Sequence, residues 1–287
     1  MGSKSNKNKK INNVKSNTKT KKNNNVSESK IKKIVKDKNF KWAVIFSVII
    51  VAIVLSAALY PYIAPFNEPS SITPDAYYKV SNKDLLSNGS SAIFFVSWYG
   101  CPIGATDSWP LYYIMNSTEN IRNDVSLHTA NPTDIYANQP GLLFNKDITF
   151  TTNGNKFTFY PLYIYNESMT GTVHNTPIKN SDLVSYGLNK IKADLPSGVY
   201  NLFAKYESTI ASGTPKHIST TIVITGPKGA YILNAFMYIP PASGILGQGT
   251  YTSWNPNTPQ SVMANMEGSS TITGPAGTFA GYLSKVG

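Results

Sequence analysis

The sequence predicts an α/β fold, a mixed sheet with helices packed on it, preceded by one transmembrane helix. Three observations carry this reading. Trp42 to Tyr60 runs for 19 residues without a charged side chain. Ala92 to Val96, an apolar run, feeds a Gly-Cys-Pro turn and then a helical pattern, the opening of a β-α-β crossover. Ser219 to Thr225 and Ala230 to Ile239 flank Gly226-Pro227-Lys228-Gly229 as a hairpin. A parallel crossover early and an antiparallel pair late make the sheet mixed.

The net charge of +11 is unevenly placed. Residues 1–41 hold 14 lysines against Glu28 and Asp37, while the other 246 residues carry 12 basic and 13 acidic groups. The folded part therefore has no bias towards polyanions, and nucleic acid is not an expected partner. Residues 1–41 read as a disordered basic tail, because residues 1–30 offer almost nothing apolar to bury. Within it, Lys30 to Lys41 suits a short basic amphipathic helix at the membrane surface, with Ile31, Ile34, Val35 and Lys38 on one side.

As a helix, residues 42–60 would span ~28 Å, close to the ~30 Å of a hydrocarbon core. Trp42 and Tyr60 stand at its two ends, where aromatic belts are expected. The lysines precede it, which places the tail in the cytoplasm and the C-terminal domain outside the cell membrane. Anionic headgroups of the inner leaflet would hold each nearby lysine by ~1 kcal/mol. A cleaved signal peptide is the competing reading, with Ser56-Ala57-Ala58 as small residues, but the apolar run exceeds the usual ~7–15 residues.

Beyond the anchor, Pro61, Pro65, Pro69 and Pro74 mark residues 61–76 as a semi-rigid stalk. Residues 77–267 form the predicted external domain. Its first helix runs from near Pro102 to Asn116, kinked by Pro110 near Thr106. Val125 to Thr129 is a strand and Thr133 to Phe144 a loop. Phe157 to Tyr165 is a strand that Pro161 confines to an edge or a bulge. Ser181 caps a helix reaching Leu195. Val199 to Tyr206 suits either helix or strand. Pro256 to Met266 is a last short helix, and residues 268–287, rich in Ser, Thr and Gly, read as a flexible tail.

The chain has one cysteine, Cys101, so no intrachain disulfide can form. At a helix N-terminus its thiolate would be stabilised, making Cys101 a candidate nucleophile for mixed disulfides with a small thiol or a partner protein. The alternative is an inert, half-buried thiol. Asp107, six positions on and ~600° around the helix, reads as a solvated charge favourable with the dipole. Ala105, Ser108 and Tyr112 share the side of Cys101 and read as packing. His128, His174 and His217 have no second ligand at metal spacing, so neither metal nor cofactor is expected. Gly244-Ile-Leu-Gly247-Gln-Gly249 lacks the context of a phosphate loop, and no Gly-x-Ser-x-Gly elbow occurs. Asn88-Gly-Ser, Asn116-Ser-Thr and Asn166-Glu-Ser are candidate glycosylation sites on the expected outer side, whereas Asn25-Val-Ser in the tail should be silent.

The run FFVSWYGCPIGATDSWPLYY resembles an archaeal membrane-anchored family known as domain of unknown function 929. That family is similar to thioredoxin-like proteins with a Cys-Pro-x-Cys turn here. The resemblance covers the tail, the anchor and most of residues 75–266, with about twenty residues of specific motif. It implies a thioredoxin-like fold in which Cys101 matches the nucleophilic cysteine and Gly104 occupies the resolving position. Trp98 is near the aromatic preceding that turn, and Pro110 near the helix-kinking proline. Two departures follow. Gly104 removes the dithiol, and the proline that such folds place opposite the cysteine is absent ahead of Ser219-Thr220-Thr221, Pro215 being the nearest. Thr220 or Thr221 is expected in its place, with Pro215 in a shifted register as the alternative. The resemblance thus implies a redox-degenerate module for surface binding or assembly. The alternative is a monothiol thiol-disulfide oxidoreductase that uses Cys101 with an external resolving thiol.

Overall fold

The computed structural model describes residues 38–63, 66–134, 136–237 and 258–287. The expectations for residues 1–37 and for the Gly244–Gly249 motif lie outside these. The chain divides into two units, Met1–Pro65 and Phe66–Gly287.

In the first unit, α1 (Lys38–Ile63) is a 26-residue helix, and its window Asn39–Ala57 is long and apolar enough to cross a membrane. Its described side chains are exposed, from Phe40 to Leu55, and none of its faces is polar. The helix continues through Pro61 to Ile63, past the predicted end.

The second unit is built on a six-stranded sheet. Its strands are β1 (Tyr77–Ser81), β2 (Ser91–Ser97), β5 (Ile148–Thr152), β6 (Asn155–Tyr163), β9 (Thr221–Gly226) and β10 (Gly229–Asn234). The spatial order is β1-β10-β9-β2-β6-β5, with β2 and β6 parallel and the other neighbours antiparallel. Every residue of β2 after Ser91 is buried, as expected of a strand covered on both faces. Alternation sends Ile93 and Phe95 to one face and Ala92, Phe94 and Val96 to the other.

On the first face lie α2 (Pro102–Asn116) and α7 (Ser270–Val286), which pack against each other. On the second lie α3 (Leu183–Asp194) and α4 (Ser197–Lys205), which settles residues 199–206 as largely helical. The short α5 (Glu207–Ile210) and the ribbon of β7 (Ala211–Ser212) and β8 (His217–Ile218) lead back into β9. A separate ribbon pairs β3 (Val125–Thr129) with β4 (Pro140–Phe144), and α6 (Pro259–Asn265) contacts it. Part of the predicted loop 133–144 is therefore strand, stabilised by pairing with β3. Pro161 falls where β6 has outrun its partner β5, whose pairing ends at Ile148↔Phe159, so it borders a free edge.

Two expected boundaries are overturned. Residues 268–287 are not a loose tail: Ile272, Ala276, Phe279, Leu283 and Val286 recur on one face of α7 and are buried in the core. That burial outweighs three helix glycines, each disfavoured by ~1 kcal/mol. Nor is the whole of residues 61–76 a stalk. Ile72 is buried, the Tyr206 hydroxyl donates to the Pro69 carbonyl at 2.8 Å, and Thr209 Oγ1 donates to the Ile72 carbonyl at 3.0 Å. Proline prevents regular structure there, but it does not prevent docking.

Candidate functional site

β2 ends at Ser97, and the chain turns through Trp98-Tyr99-Gly100 to Cys101, the N-cap of α2. Pro102 opens the helix with its φ already set. The turn is held from several sides. The Tyr99 N–H donates to the Tyr165 carbonyl at 3.2 Å, and the Asn131 N–H to the Gly100 carbonyl at 3.0 Å. His128 Nε2 lies 2.6 Å from the Tyr99 carbonyl and 3.2 Å from Glu167 Oε2. Gly100 is needed for close approach, since a Cβ there would strike the Glu167 carbonyl.

Cys101 is 3 % exposed. Its Sγ accepts from the Gly104 N–H at 3.4 Å and lies 3.0 Å from Thr220 Oγ1, which in turn lies 2.9 Å from Ser97 Oγ. Thr220 is thus the residue opposite the sulfur. Pro215, which follows a cis peptide bond, belongs to the turn between β7 and β8. Burial pushes the Cys101 thiol above its ordinary range; hydrogen bonds from Thr220, Gly104, Ser97 and Ile103 oppose this without cancelling it. At neutral pH the group is a thiol, because the desolvation cost exceeds what the helix N-terminus returns.

The position after Ile103 explains more of the site. A Cβ on Gly104 would collide with Ser97 Oγ and lie 3.3 Å from Thr220 Oγ1. The space that a second cysteine would use is occupied by a hydroxyl from β2. The hydrogen bonds to Cys101 come from hydroxyls and backbone N–H groups. No nucleophile–base pair stands at the sulfur among the described residues.

Beside Cys101 opens a cavity of about 400 Å³, walled by Trp98, Ile103, Tyr136 and Met169; its described lining also carries the side chains of Asp134 and His217. His217 Nδ1 is 2.8 Å from the Pro215 carbonyl, and its ring meets Trp98 edge-on at 5.8 Å. Burial holds His217 below the usual histidine range, so it is neutral at neutral pH. Asp134 Oδ1 accepts from the Tyr136 N–H at 3.2 Å, and the carboxylate makes no ion pair among the described residues. The indole N–H of Trp98 is buried without a partner. Sequence spacing gave no signal for this cavity, because its walls come from four separate turns and loops. No group of three or more His, Cys, Asp and Glu residues among those described could hold a metal ion.

Asp107 is not the solvated charge that helical rotation suggested. It is fully buried, its Oδ1 accepts from the Met237 N–H at 3.0 Å, and its Oδ2 has no partner. Burial raises it well above the carboxylate range, with Asp75 adding to the shift and the Met237 hydrogen bond opposing it. Asp107 has no solvated face to occupy, because α2 is covered by the sheet, β4 and α7.

The three sequons differ. Asn88 is exposed, and its Oδ1 accepts from the Ser90 N–H at 2.9 Å. Asn116 is half-buried at the end of α2, where it accepts from the Ile121 N–H at 3.3 Å. Asn166 is 8 % exposed; its Nδ2 donates to Asn175 Oδ1 at 3.0 Å and to Thr170 Oγ1 at 3.3 Å. Its amide is part of the loop's own structure.

A family model described as Domain of unknown function (DUF929) matches residues 76–284. No curated protein and no solved structure matches the chain.

Proposed function

The chain belongs to the DUF929 family, and from the geometry of its Cys101 turn we propose that it is a membrane-anchored thioredoxin-like protein without a redox cycle of its own. It acts as a binding or assembly module on the outer side of the cell membrane, through the cleft beside Cys101. The observation that carries this is the filled position 104: Ser97 Oγ occupies the place of a resolving side chain, and the remaining thiol is buried and protonated.

The thioredoxin-like reading rests on connectivity. The inner strands run β6-β2-β9-β10, with β2 parallel to β6 and antiparallel to β9. The cysteine caps the helix that follows the central strand. The orientation rests on the lysines that precede the apolar helix. A monothiol oxidoreductase needs an accessible thiolate, and desolvation works against one here.

Alkylation of Cys101 in the intact protein tests the reading. Its rate should stay near zero through neutral pH and rise only above the ordinary thiol range of ~8.5. A Cys101→Ser variant should keep its cellular role. Fast labelling at mildly acidic pH, or mixed disulfides trapped at Cys101, would establish the monothiol reading instead.

A further inference from the structure

The geometry points to a ligand class for the cavity beside Cys101: a protonated amine on an apolar stem, namely the lysine side chain of an extended partner segment. This rests on the binding reading above and gives it a chemistry. The cavity's apolar walls are aromatic and thioether surfaces from Trp98, Tyr136 and Met169, together with Ile103. Such walls accept a methylene stem, and the aromatic faces also favour a cation.

Among the described residues lining the cavity Asp134 is the one carboxylate side chain, and the buried thiol and His217 are neutral there. No Lys or Arg is among the described lining residues. One oxygen of Asp134 is engaged by the Tyr136 N–H, and no basic group neutralises the carboxylate among the described residues. A single remaining oxygen suits the compact point charge of an ammonium better than the two-pronged guanidinium. The rim residues Ser212, Gly213 and Thr214 are exposed, so a long side chain can enter while its backbone stays outside. At about 400 Å³ the cavity lies within the ordinary range for small-ligand sites.

The test uses the full chain in detergent micelles, titrated with a short acetylated, amidated alanine peptide bearing a central lysine. The same peptide with norleucine is the uncharged control. The lysine peptide should bind about fivefold tighter, as expected of an ion pair at a partly exposed carboxylate. Asp134→Asn, with near-ultraviolet circular dichroism unchanged, should erase that preference. A lysine preference that survives Asp134→Asn overturns the inference. Equal binding of both peptides, lost on plugging the rim with Ser212→Trp, also overturns it but leaves the cleft reading standing. Binding of neither peptide overturns it and removes the support for the cleft.

Discussion

Gly104→Ala separates the packing account of the Cys101 turn from a propensity account. By helix propensity alone the substitution should stabilise, by up to ~1 kcal/mol. Here the new methyl collides with Ser97 Oγ and lies 3.2 Å from Ser97 Cβ and 3.3 Å from Thr220 Oγ1. Overpacking of this kind costs about 1–3 kcal/mol. Displacing the Ser97 hydroxyl from Thr220 adds about 1 kcal/mol for a buried hydrogen bond. Against the propensity gain, the net loss is about 1–3 kcal/mol, or a fall in Tm of roughly 3–10 °C for a domain of this size. Thermal unfolding of the solubilised chain, followed by circular dichroism, measures it. Ser97→Gly in the same chain should recover at least ~1 kcal/mol of the loss as a coupling energy. On the same grounds, Gly104→Cys should form a disulfide with Cys101 only when Ser97 is also reduced to glycine. A neutral or stabilising Gly104→Ala, or strictly additive effects of the two changes, would refute the reasoning.

Asp107 holds its proton more tightly folded than unfolded. Its contribution to stability is therefore whole below the unfolded carboxylate range of ~4 and is lost as pH rises through the folded value. Asp107→Asn should gain on wild type as pH climbs from ~4 towards neutrality, read by chemical denaturation at several pH values. Gly277, on the exposed side of α7 with nothing near its missing Cβ, should stabilise by about 0.5–1 kcal/mol as Gly277→Ala, seen as a raised unfolding midpoint. In a host that glycosylates the outer face, Asn88→Gln should remove a mass increment from the protein. Asn166→Gln should remove none, but should destabilise the 166–178 loop, read as faster proteolysis.

The parts of the fold legible in the sequence were those with local signals. The run from Ala92 to Val96 is apolar at every position, and β9 and β10 meet across the glycine-bounded turn, with Gly226 opposite Gly229. The hairpin of β5 and β6 carried the same kind of signal: Asn153-Gly154 has two positive φ values, 50° and 76°, as a two-residue turn requires. The residues of α7 carry conflicting signals: its glycines and threonines speak against helix locally, and only the spacing of Ile272, Ala276, Phe279, Leu283 and Val286 reveals it. At the site, Cys101 and Gly104 could be read from the motif and Thr220 from the missing proline. Ser97, the residue that fills the gap, is an ordinary serine at a strand end. The cavity walls needed the folded chain.

The placement of α7 has a consequence for how the domain is assembled. One face of the sheet, with Phe95, Phe159, Ile222, Ile224 and Leu233, is closed by α2 together with α7, elements from opposite ends of the domain's sequence. Contacts so distant along the chain are slow to form, because the intervening segment must be ordered before they are made. While a nascent chain waits for residues 270–286, those aromatic and branched side chains stay uncovered and open to adventitious partners. The vulnerable interval for this domain is therefore set by the arrival of α7, long after the central strand and the cysteine turn have been synthesised.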